Sequence, residues 1–131
     1  MAEERNNNFS ITNKTKGKVP PLPFVDIKNS VLGKKYSLSL VIAGDTLSRK
    51  LNKTYRNKDK PTNVLSFSLG DTEGEIFLNL KKAKAEAPQF NEKYKNFVGY
   101  LFIHGLLHLK GMDHGSTMEN TERKIRRKFN I

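Results

Sequence analysis

All three histidines of this 131-residue chain fall between positions 104 and 114. His104 and His108 are four apart, so a helix carrying them projects both rings from one face, about one turn apart. Gly111 then lets the helix end and the chain reverse, bringing His114 back toward that face. Three neutral imidazoles converging on one point leave a fourth position open, which is the ligand set of a catalytic zinc rather than a structural one. The chain must therefore supply a helix, a glycine turn and a return, in that order.

The spacing His-x3-His-x2-Gly-x2-His matches the metal signature of metzincin peptidases, but Gly105 stands where those enzymes carry the Glu that serves as general base. Metal binding is expected here and peptide hydrolysis is not. With no cysteine in the chain, disulfides, thiolate nucleophiles and Cys-based zinc sites are excluded. Three imidazoles also accept nickel, cobalt or copper, so the histidines alone do not name the metal.

Lys and Arg total 24 against 13 acids, a net charge of +11, which favours a polyanionic partner, nucleic acid first. The polar start, Met1–Asn8, lacks the apolar stretch of a signal peptide. The most apolar window, 98–109, is too short and too polar to cross a bilayer. A soluble, cytoplasmic protein with no membrane partner is expected, folded as one domain over 1–131 with 1–20 partly flexible. A chain of this length buries about two-thirds of the surface that its unfolded form exposes, enough for a real core.

Periodicity predicts the elements. Phe9-Ser10-Ile11 reads as a weak strand, and Pro23 opens a helix carrying Phe24, Ile27 and Val31 that stops at Gly33. Strands are expected at 36–42, 64–69 and 75–80, the last two joined by a hairpin turn over 70–74. Asp45 is expected to cap a helix whose apolar face is Leu47, Leu51 and Tyr55. A helix over 81–87 stops at Pro88, and Asn91 caps a longer one running through the histidines. Ser116-Thr117-Met118-Glu119 reads as a capping box before a last helix with Met118, Ile125 and Phe129 inward. One sheet among five helices makes an α/β or α+β domain.

The run His104-Gly105-Leu106-Leu107-His108-Leu109-Lys110-Gly111-Met112-Asp113-His114 resembles the HGxLHLxGyDH signature of the YbeY family of endoribonucleases. A second block, Leu51 through Phe67, agrees with it. The resemblance implies a zincin-like α+β domain, a small mixed sheet packed with about five helices. It implies a metal-dependent endoribonuclease specific for single-stranded RNA, acting in maturation of small-subunit (16S-type) rRNA and in ribosome quality control. One zinc per chain would sit on His104, His108 and His114, and Arg56 inherits a role in substrate binding or catalysis. Single-stranded RNA, ribosomal RNA above all, is the expected partner. The ribosome or its proteins are further candidates, and DNA is not expected. Met112 where Tyr or Phe is usual, Ser68 in place of Pro, and Glu75 in place of Asp depart from the pattern.

Zinc lowers the pKa of its water to about 7 and polarises a phosphoryl oxygen. The scissile phosphate is then expected between the metal and the planar fork of Arg56. Arg56, His104 and Asp113 are the candidate catalytic residues. Asp113 is read either as a base or as a residue that fixes the turn, and attack by the RNA's own 2′-hydroxyl stays open beside attack by water. Lys58, Lys60, Thr62, Asn63 and Ser66 join Arg56 as candidate substrate contacts, within a basic run from Arg49 to Lys60 in which Asp59 is the only acid. Tyr55 and Phe67 are candidates for base stacking. The alternative reading is a non-catalytic RNA- or ribosome-binding factor whose three-His metal is structural.

Overall fold

The computed structural model describes residues 2–6 and 8–131. Met1 and Asn7, which belong to the polar start and to the stretch expected to be partly flexible, lie outside the described residues. The elements are β1 (Ala2–Asn6), β2 (Phe9–Asn13), α1 (Phe24–Leu32), β3 (Ser37–Ile42), α2 (Asp45–Arg56), β4 (Val64–Gly70) and β5 (Glu73–Leu78). They are followed by α3 (Leu80–Glu86), α4 (Tyr94–Leu109) and α5 (Ser116–Lys128), with a 3₁₀ turn at Ala87–Phe90. The architecture is α+β.

The five strands run in the order β1-β2-β3-β5-β4. β2, β3 and β5 are mutually parallel, and β1 and β4 pair antiparallel at the two edges. Alternation along the strands divides the sheet. Leu38, Leu40, Ile42, Ile76 and Leu78 share one face and are buried against α1 and α4. Phe67, of the other parity, meets Tyr55 of α2 edge to face at 5.2 Å and its sheet neighbour Phe77 in the same way at 5.8 Å. Helix α4, apolar almost all round, fills the centre between the sheet, α1, α3 and α5. No helix among the described residues is long and apolar enough to cross a membrane.

Several local expectations are corrected. The polar segment Ala2–Asn6 has no apolar alternation and still forms a strand, because its backbone pairs with β2 from Ala2↔Asn13 to Asn6↔Phe9. The β4–β5 turn is only Asp71–Thr72. Asp45 does not cap α2; it is the helix's first residue, and its carboxylate accepts instead from Asn79 Nδ2 at 2.8 Å. Asn79 also caps α3 by accepting from Lys82 N–H. Asn91 takes a left-handed conformation (φ 54°) that ends the 3₁₀ turn, leaving Lys93 at the start of α4. No side-chain cap forms at Ser116; Gly115 precedes the helix at φ 155°. On α2 the deepest residues are Ser48 and Asn52, while Leu47 and Leu51 are half-buried and Tyr55 is exposed. Ser48 Oγ pairs with both backbone groups of Thr62, and Asn52 Nδ2 donates to the Lys60 carbonyl. Loop 57–63 thus satisfies its backbone on the helix rather than in water.

Candidate metal centre

His104 and His108 lie on adjoining turns of α4, and the chain reverses through Gly111 (φ 98°) to return His114. One ligand nitrogen from each of the three rings lies within 4.8 Å of the others, and His104 Nε2 faces His108 Nε2 at 3.1 Å. A tetrahedral ion with nitrogens at about 2.1 Å separates them by roughly 3.4 Å, so the cluster fits after a shift of about an ångström.

The chemistry of the donor set agrees with that fit. His104 Nδ1 lies 2.9 Å from Oε1 of Glu122, which is only 6% exposed. A carboxylate there holds the ring proton on Nδ1 and leaves the Nε2 lone pair free for a cation. Burial first, then the neighbouring His104 and His114, hold the His108 imidazole below its ordinary pKa. His108 is therefore neutral near pH 7, as a ligand must be.

Gly105 turns toward the sheet rather than the cluster. A Cβ added there would lie 2.9 Å from Ser66 Oγ and 3.1 Å from Ile76 Cδ1. A side chain following His104 would therefore crowd β4 and β5 rather than face the cluster. Met118 is 1% exposed and belongs to the core beneath α5.

The histidines close one end of a groove of about 770 Å³ between α4 and edge strand β4. Arg56, Lys58, Thr62, Asn63 and Ser66 line it, whereas Lys60 and Asp113 do not. Lys60 borders a separate depression with Lys50 and Lys53, where Arg49 is paired with Asp59 at 2.7 Å. Asp113 is exposed in the turn beside His114.

Arg56 ends α2, and its Nη2 donates to the Ser66 carbonyl on the outer edge of β4 at 3.0 Å. Its guanidinium carbon rides over the Phe67 ring at 5.1 Å. The fork is thus exposed yet positioned. Ser66 Oγ donates to the Gly105 carbonyl, and Asn63 Nδ2 donates to Glu86 Oε1, so these two side chains also tie the groove's walls together.

The far wall holds three aromatic residues: Phe97, which the sequence reads as core and which is buried, and Phe90 and Tyr100, which sequence reasoning missed, with the Arg126 guanidinium over Tyr100 at 5.4 Å. Glu122 was also missed. Its signal lies in the last helix, where it falls on the same stripe as Met118, Ile125 and Phe129: an acid among inward residues needs a buried partner.

Comparison with known proteins follows the same lines. A family model described as Endoribonuclease YbeY matches residues 4–130. A Neorickettsia sennetsu protein of that name is 38% identical over 108 residues, covering 74% of this chain and 76% of its own length. One from Malacoplasma penetrans is 37% identical over 115 residues, covering 82% and 73%. The solution structure of a Thermotoga maritima protein aligns with a TM-score of 0.64 at 25% identity, over 89% of this chain and 85% of the other.

Proposed function

Since this chain belongs to the YbeY family of endoribonucleases, we propose that it cuts single-stranded RNA with one zinc ion held by His104, His108 and His114. The observation that carries this reading is the convergence of three imidazoles at the end of an open groove whose other wall presents Arg56 and Lys58. A structural metal in a closed site takes four protein ligands, whereas three ligands facing a groove leave room for a substrate oxygen.

Zinc bound there supplies Lewis acidity and an acidified water. The chain's own residues do the rest. Glu122 keeps the His104 proton on Nδ1 and fixes the ring's direction. Arg56 gives two parallel donors to the non-bridging oxygens of the scissile phosphate, and Lys58 attracts the neighbouring phosphate. Thr62 lies beside them on the same wall. Asp113, next to His114, stands outside the groove and acts on its turn. The substrate read here is ribosomal RNA, cut during small-subunit maturation and quality control in the cytoplasm, with the ribosome as the larger partner.

The test is elemental analysis of purified wild type and His108→Ala, beside a cleavage assay on unstructured RNA. One zinc per chain and cleavage in the wild type, both lost in the variant while RNA binding persists, is the expected result. Cleavage that survives His108→Ala would remove the metal from the reaction.

A further inference from the structure

We propose that Phe90 is the platform of a nucleobase-stacking subsite at the end of the groove remote from the histidines. The inference rests on the reading of this chain as an RNA-cleaving protein, and it assigns a place for a base away from the cut. Four rings form a row along the α4 wall. Phe90 stacks on Phe97 at 5.2 Å and 19°, Phe97 on Tyr100 at 6.0 Å and 25°, and Tyr100 tilts toward His104 at 5.8 Å.

Phe97 is buried, so the row is anchored in the core, yet Phe90 is 61% exposed. With one face against Phe97, it turns its other face to solvent within the lining of the same groove. A flat, open π-face continuing a stack is a seat for another flat ring.

The ring is also preorganised. Pro88 stiffens the 3₁₀ turn, Asn91 closes it with a bond to the Pro88 carbonyl, and Glu92 N–H donates to the Ala87 carbonyl. Glu92 is held in turn by Arg126 at 2.6 Å. Little is lost in ordering on binding. Charge complementarity selects the occupant: the facing wall carries Arg56 and Lys58, so a ligand here needs an anionic backbone and an unpaired ring together. A single RNA strand has both, and stacking of this kind tolerates any base.

The test is equilibrium binding of a 2′-O-methyl oligouridylate of roughly ten nucleotides, which cannot cyclise through its 2′ position, and of the same backbone without bases. Phe90→Ala should weaken binding of the oligouridylate by about five- to a hundred-fold, with Phe90→Leu nearly as weak and Phe90→Tyr restored. Removing the bases should cost the Phe90→Ala protein correspondingly less than the wild type. Thermal melting checks that each variant is folded, as exposure of Phe90 leads one to expect. Equal binding by folded Phe90→Ala and wild type, or the same penalty for base removal in both, would overturn the subsite alone. A wild type that neither binds the strand nor cuts unmodified RNA would overturn both this inference and the function it rests on.

Discussion

His104 can serve a cation only while its proton stays on Nδ1, and the residue that keeps it there lies 18 positions further along the chain, on another helix. Glu122→Gln retains the size of the side chain but removes the charge that favours this tautomer. Zinc affinity, measured by competition with a chromophoric chelator, should fall about 10- to 100-fold. Gly105, one position on from His104, is constrained by the sheet instead. Gly105→Ala places a methyl against Ser66 Oγ and Ile76, and urea unfolding should show a loss of about 1–3 kcal/mol. The three-histidine cluster was legible in the sequence because i, i+4 spacing and a glycine turn are local signals. Glu122 was not, because its partner is set by the packing of α5 on α4.

Helices and central strands follow the hydrophobic pattern closely, since their faces are buried by neighbours that the pattern implies. What the pattern hides are elements held by backbone or polar bonds to distant segments. β1 is recruited through pairing with β2, and α2 buries Ser48 and Asn52 because the loop beyond it needs their side chains. Asn79 is the strongest case: 1% exposed, it caps α3, ties Asp45 at the start of α2 and donates its backbone N–H to the Asn63 carbonyl. Asn79→Ala should lower stability by about 2 kcal/mol in thermal or urea denaturation. The same variant should change the acid limb. The Asn79 amide, more than the lysines nearby, holds the Asp45 carboxyl below its usual 3.8. A depressed folded pKa stabilises fully above the unfolded value and is lost as pH falls through the folded one. The wild type should therefore lose this part of its stability below about pH 4, and Asn79→Ala should lose less over that range, the partial exposure of Asp45 keeping the difference small.

For the molecule as a whole, the excess of positive charge is distributed rather than confined to the groove. Arg56 and Lys58 line it, Arg49, Lys50, Lys53 and Lys60 border the separate depression, and Arg123, Lys124, Arg127 and Lys128 stand exposed on α5. RNA affinity should fall steeply with salt, and the log–log slope should shrink by about 0.7 in Lys58→Ala if that lysine neutralises one phosphate of a single strand. Chelation should abolish cutting while leaving this salt-dependent binding in place. Arg56 joins the groove's chemistry to the architecture of the sheet. β4 is an edge strand with Leu69 53% exposed, and the arginine occupies one of its outward carbonyls. An uncovered edge invites strands from other molecules to add to the sheet. The side chain proposed to clamp the phosphate would therefore also discourage self-association, and Arg56→Ala should sediment as larger species as its concentration rises. Its lost activity would then combine a missing phosphate clamp with a sticky sheet margin, two defects that analytical ultracentrifugation can separate.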